Sequence, residues 1–153
     1  VLLRHIDEYQ YDLVIGSSMG GLAAANASSL REKSDFKLLL IAPAFGLSDS
    51  WENLRDEELD SWERMGVRRY RGFDLEIDLG WDFMEDAREM SWPTIRHQTT
   101  IIHGSKDDIV PLEVSQTVSE DSELVDLIVI DDGHRMKRSL SYLSDVASSL
   151  VSS

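Results

Sequence analysis

The chain has 153 residues, and its 29 Asp and Glu against 15 Lys and Arg give a formal charge of −14, a balance that repels polyanions and excludes a broad electrostatic grip on nucleic acid. Hydrophobic residues make up 42% and the nine glycines and three prolines are scattered, which describes an ordinary globular domain with enough apolar material for a core and excludes disorder. Zero cysteines remove disulfides, thiolate zinc sites and cysteine nucleophiles, while oxidising and reducing compartments both stay open.

The first residues, VLLRHIDEYQ, read as a helix that opens without Met, and Arg4, Asp7 and Glu8 interrupt any secretory apolar stretch. No run approaches the ~18 to 20 apolar residues of a membrane span, so the chain reads as soluble, with the cytoplasm as expected location and an organelle as the alternative. Asp12 to Gly16 (DLVIG) then reads as a buried strand, and GLAAANASSLREK as a helix whose small residues let it sit close on a sheet. Phe36 to Ala42 (FKLLLIA) is a second buried strand.

The stretch from Leu47 to Gln98 differs in composition and holds all four tryptophans, Trp51, Trp62, Trp81 and Trp92. Within it Ser50 to Met65 reads as one helix ended by Gly66, Val67 to Gly80 as a ribbon or turn, and Trp81 to Met90 as a second helix. Residues 47–98 are therefore expected to form a cap inserted into a core made of 1–46 and 99–153. Its tryptophans, with Met65, Met84 and Met90, would either wall a substrate-binding site or fill the insertion's own small core. The arginines of VRRYRG, Arg68, Arg69 and Arg71, would either hold a substrate anion or balance local acid.

Thr99 to Gly104 (TTIIHG) and Asp126 to Ile130 (DLIVI) are the third and fourth strands of the core. Pro111 stands at an expected first helical position of PLEVSQTVSED, and Met136, Leu140, Leu143, Val146 and Leu150 recur at helical spacing to the end. Strand and helix alternate, the pattern of an α/β domain with a mostly parallel sheet flanked by helices.

The turn after the first strand, Gly16-Ser17-Ser18-Met19-Gly20, satisfies G-x-S-x-G with Ser18 at its centre. A sharp strand-to-helix turn strains its central residue, so the positions two away must lack bulk; Gly16 and Gly20 meet that need for Ser18, whereas Ser17 would have Ile15 and Met19 there. A dinucleotide fingerprint would need Gly at 18 and an acid after the next strand, and finds neither; a glycine-rich turn without chemistry is the other reading. A serine nucleophile needs a base and an orienting acid. His103-Gly104-Ser105-Lys106-Asp107-Asp108 follows the third strand and Asp131-Asp132-Gly133-His134 the fourth. The order Ser, Asp, His thus falls just past the carboxyl ends of strands, where open α/β sheets place their sites. His103 reads as structural, and His5 and His97 lie outside every motif. No HExxH or cysteine pair supports a metal.

GSSMGG, HGSKDDIVP and DDGHRM, each after a strand, resemble the α/β-hydrolase superfamily, and small abhydrolase-domain serine esterases and thioesterases in particular. The resemblance covers the chain outside the insertion. It implies Ser18 as nucleophile, His134 as general base and then acid, and Asp107 rather than Asp108 as the carboxylate, because the family motif H-G-x-x-D-x-x-V-P places its acid at the first aspartate. It implies hydrolysis of a small-molecule carboxylic ester or thioester through an acyl-enzyme, with no metal or cofactor. The Met19 amide is the expected first oxyanion donor. The second belongs to a His-Gly loop on an earlier strand, so further N-terminal strands are expected upstream of Val1. A non-catalytic ligand-binding or interaction domain on the same fold is the rival reading, and oligomeric state is not legible.

Overall fold

The computed structural model describes residues 1–52, 54–72 and 75–152. In chain order the first elements are α1 (Leu2–Glu8), β1 (Leu13–Ser17), α2 (Met19–Leu30) and β2 (Lys37–Ile41). The insertion contributes α3 (Leu47–Glu52), α4 (Asp56–Met65), β3 (Val67–Gly72), β4 (Leu75–Gly80) and α5 (Trp81–Met90). β5 (Thr99–Gly104), α6 (Leu112–Glu120), β6 (Val125–Ile130) and α7 (Leu140–Ser152) complete the chain. It divides into two compact units, 1–45 with 93–153, and 46–92.

In the first unit the expected α/β sheet is present: four strands in the order β1-β2-β5-β6, every neighbouring pair parallel. The two central strands are the most buried, and β5 is buried at all six positions, as a strand covered on both faces must be. Leu38, Leu40, Ile101 and Ile102 are completely buried there. Ala24, Ala25 and Ala27 of α2 are buried in turn, Ala25 fully, and a Cβ on Gly21 would stand 3.0 Å from that of Pro43. Parallel pairing brings the carboxyl ends of β1, β5 and β6 to one edge of the sheet, and the segments carrying Ser18, Asp107 and His134 leave from those ends.

Two elements differ from expectation. The helix expected over 136–151 starts at Leu140; Met136 is instead buried in the preceding loop with φ 48°. The reason is local: the Asp132 carboxylate accepts the Arg138 amide at 2.8 Å and the Ser139 hydroxyl at 2.9 Å, holding the chain in a turn until Leu140. Pro111 precedes α6 as its cap residue instead of opening it, because its ψ of 136° is extended.

In the second unit the single helix expected over 50–65 is two, α3 and α4. Asp56, Glu57 and Glu58 occupy the first turn of α4, where the positive end of the helix dipole favours carboxylates that mid-helix placement would not. Gly66 ends α4 with φ 68°, the left-handed conformation glycine adopts freely. β3 and β4 pair as an antiparallel ribbon from Val67↔Gly80 to Gly72↔Leu75, and residues 73 and 74 of the expected ribbon lie outside the described residues. The ends of the insertion are clasped: the Gly46 amide donates to the Ser91 carbonyl at 3.1 Å, and the Ser48 amide to the Ser91 hydroxyl at 2.8 Å. Among the described residues no helix is long and apolar enough to cross a membrane.

Candidate active site

Ser18 sits between β1 and α2 with φ 53° and ψ −120°, a conformation that costs a non-glycine residue about 1–3 kcal/mol and persists only where the surroundings enforce it. They do so from three sides: the Ser18 amide donates to the Ile41 carbonyl at 2.9 Å, and its carbonyl accepts the Leu22 and Ala44 amides at 3.1 and 3.0 Å. A Cβ on Gly16 would lie 2.3 Å from the Gly20 carbonyl oxygen, so residue 16 must be glycine for the turn to close. The same requirement does not hold at position 20, where a Cβ would meet nothing within 4 Å; the backbone of residue 20, not its side-chain space, is what the turn uses. Ser17 belongs to β1, opposite Ile41.

The loops after β5 and β6 are brought together by a second close approach. A Cβ on Gly104 would lie 2.3 Å from the Asp132 carbonyl oxygen, and through that contact the Lys106 amide reaches the same oxygen at 3.0 Å and the Ser105 amide the Ile130 carbonyl at 2.8 Å. Asp107 and His134 meet across these loops. His134 Nδ1 donates to Asp107 Oδ2 at 2.8 Å, and Nε2 accepts from the Ser18 hydroxyl at 3.1 Å. The Asp107 side chain is fully buried and that of His134 is 10% exposed. Burial alone would push the Asp107 carboxyl up; the Val110 amide, the His134 imidazole and the Ile109 amide outweigh it and hold the group below the usual carboxylate range. Asp108 is exposed; its neighbour is the one against the imidazole. Such an arrangement can move a proton from hydroxyl to imidazole while the carboxylate stabilises the cation that forms.

Met19, the first residue of α2, presents one of the leading helical amides that have no acceptor within the helix. Trp51, Trp62 and Trp81 pack on one another inside the second unit, at 5.4 Å between the first two and 5.5 Å between the last two. Trp62 is 2% exposed and donates to the Leu79 carbonyl, while Trp92 is 46% exposed and bonded to Asp49. Arg69 and Arg71 pair with Glu76 and Asp78 across the ribbon. Arg68 lies over the Trp51 and Trp62 rings at 5.7 and 5.8 Å.

Two residues near the site carry more than sequence reasoning assigned them. Asp132 is buried, and besides Arg138 and Ser139 it accepts the Gly133 amide at 2.8 Å, so one carboxylate braces both ends of the turn that presents His134. Burial raises its pKa, but the Gly133 amide, the Ser139 hydroxyl and the Arg138 amide bring it below the ordinary value. The Asp-Gly pair was a visible turn signal; the reach to residues 138 and 139 was not. His103, read as structural, is wholly buried. It accepts the Ser115 hydroxyl at Nδ1 and donates from Nε2 to the Val110 carbonyl, and Nε2 stands 3.3 Å from Asp107 Oδ2. His97 is also buried, between the Ser28 hydroxyl and the Ser34 carbonyl.

The chain matches the family model described as "Uncharacterised protein family (UPF0227)" over residues 1–150. Among solved structures it is similar to alpha/beta hydrolase domain-containing protein 10 from mouse, at 24% identity and TM-score 0.77, covering 99% of this chain and 66% of that one. It is similar to Est1E from Butyrivibrio proteoclasticus at 18% identity and TM-score 0.66, covering 91% and 60%. A third likeness is the esterase EaEST from Exiguobacterium antarcticum, at 17% identity and TM-score 0.57, covering 99% and 70%. The chain therefore spans less than two thirds of the length of the first two. No curated protein matches it by sequence. At these identities the likeness speaks for the fold, and with the family model it leads to one statement: the chain belongs to the UPF0227 family and has the α/β-hydrolase fold.

Proposed function

We propose that the protein is a serine hydrolase that cleaves a carboxylic ester or thioester through an acyl-enzyme. The observation that carries this reading is the unbroken relay from the Ser18 hydroxyl through His134 to Asp107, at 3.1 and 2.8 Å. Ser18 Oγ attacks the carbonyl carbon as His134 Nε2 takes its proton; Asp107 holds the imidazole in the tautomer that accepts it and stabilises the imidazolium. The negative charge that develops on the carbonyl oxygen is met by the Met19 amide. His134 then returns the proton to the departing alkoxide or thiolate, and water, activated by the same imidazole, releases the acid. The strained backbone at Ser18 supports the reading, since strain is retained where a side chain must be held for use. So does the company the fold keeps, two of the similar structures being esterases by name, EaEST and an esterase domain from Rhodothermus marinus.

A fluorophosphonate probe tests the assignment. It should label the protein at Ser18, labelling should vanish in Ser18→Ala and it should persist in Ser17→Ala. Undiminished labelling of Ser18→Ala removes the nucleophile, and a folded parent protein whose Ser18 resists the probe favours a ligand-binding domain without catalysis.

A further inference from the structure

A groove of about 460 Å³ runs between the loops after β5 and β6, within the range of small-molecule sites. His134 forms part of its wall, and Lys106, Arg135, Lys137 and Arg138 all border it. In a chain with only 15 Lys and Arg and a charge of −14, four cations are concentrated on one groove. The acids beside them offset part of that charge and leave two of the cations without a partner. Asp132, held ionised by the Gly133 and Arg138 amides and the Ser139 hydroxyl, also interacts with the Arg138 charge, and Asp131 answers Lys106. Asp108 is the remaining carboxylate of the lining. Arg135 and Lys137 are exposed, and among the described residues neither takes part in an ion pair or a side-chain hydrogen bond.

We propose that this groove receives the leaving group of the substrate, and that the leaving group carries an anion, a carboxylate or a phosphate, held by Arg135 and Lys137. The inference rests on the serine-hydrolase reading, because that reading fixes which half of the substrate enters. The atom that departs must stand at His134 Nε2 to take its proton, so whatever extends from that atom past the imidazole runs into the groove His134 borders, while the acyl half stays on Ser18. A guanidinium presents paired donors to a carboxylate or phosphate, and the ammonium adds a point charge. Two exposed cations without partners also draw an anion toward the groove from solution.

The test compares three acetate esters that share one phenol framework: 4-(carboxymethyl)phenyl acetate, its neutral amide 4-(carbamoylmethyl)phenyl acetate, and 4-(phosphonomethyl)phenyl acetate. The carboxylate ester should exceed the amide in kcat/KM by about fivefold, the effect of two partly exposed ion pairs, with the gain in KM and narrowing at about 0.5 M salt. A larger gain for the phosphonate assigns the group as phosphate, a smaller one as carboxylate. Arg135→Gln combined with Lys137→Gln should bring the charged-to-neutral ratio toward unity, a change that general loosening of the loop would not produce. Monophenyl succinate, with its anion on the acyl side, should gain nothing over phenyl acetate. Equal turnover of charged and neutral esters by a protein that the probe labels at Ser18 overturns the anion site and leaves the hydrolase reading intact. A ratio unchanged in the double variant, or an equal gain for the succinate, does the same. Absence of both turnover and labelling overturns the two together.

Discussion

Gly104→Ala isolates the contact on which the site's assembly depends. The added methyl would stand 2.3 Å from the Asp132 carbonyl oxygen and 2.8 Å from the carbonyl carbon. Both are backbone atoms in a loop tied down by the Asp132 carboxylate, so relief to ordinary contact needs the loops after β5 and β6 to part by about 1 Å. The 2.8 Å bond between Asp107 and His134 spans those same loops. Lengthening it by that amount takes it out of hydrogen-bond range, and misplacement on this scale costs about a hundredfold in rate. The overpacking itself should cost about 1–3 kcal/mol of stability, which a folded domain can survive. The measurement is the second-order rate of fluorophosphonate labelling at Ser18, read beside Tm so that unfolding is separated from misalignment. Gly20→Ala, whose methyl meets nothing within 4 Å, is the matched comparison and should label within about twofold of the parent. If Gly104→Ala also labels at the parental rate, the close approach does not position the relay and the reasoning from it is wrong.

Asp107→Asn should lower kcat by about 10⁴-fold through loss of the productive imidazole tautomer, with Asp108→Asn close to the parent in the same ester assay; the reverse ranking would move the acid to Asp108. Asp107 and Asp132 both hold lowered pKa values in the folded protein, so the stability they contribute is fully present above the unfolded carboxylate value near about 4 and is lost as pH falls through the lower native values. Tm followed downward from neutral pH should therefore fall on an acid limb that flattens in Asp132→Asn, and an unaltered limb in that variant would count against the bracing role. Trp62→Ala removes a side chain only 2% exposed and should destabilise the second unit by about 3–5 kcal/mol, seen as earlier proteolysis within 46–92; resistance equal to the parent would contradict its place in that core.

The sheet was legible because its strands are short runs rich in β-branched and aliphatic residues ended by Gly, Pro or Asp: FKLLLIA is almost continuously apolar, TTIIHG is dominated by β-branched residues, and β2 and β5 lie within them. The serine turn was legible from its glycines, though the reason was half right, since only Gly16, two positions before Ser18, is sterically obliged. Which Cβ points into a turn depends on backbone angles that a residue pattern does not carry. The break between α3 and α4 was hidden because Ser50 to Met65 has a helical composition throughout, and the cost of three carboxylates in mid-helix is weaker than the pattern it interrupts. Asp132 was hidden for a different reason. Its partners at 138 and 139 lie within a stretch whose apolar spacing imitates a helix, and side-chain hydrogen bonding within the loop overrode the periodicity. Asp107 was set apart from Asp108, and paired with His134, only by the resemblance to the α/β-hydrolase motif, while the groove beside them needed coordinates, because nothing in HRMKR says which way its cations face.

The clasp at the ends of the insertion has a consequence for how the chain folds. β2 and β5 pair directly, Leu38 with Thr99, yet the whole insertion lies between them in sequence, and closing a long loop before any contact forms slows a fold dominated by distant pairings. With Gly46 and Ser48 bonded to Ser91, the insertion can close on itself first. The search for the β2–β5 register then runs over a tether of a few residues. The order of events becomes insertion before sheet, and a chain in which Ser91 cannot make these bonds should refold slowly even where its final stability is little changed.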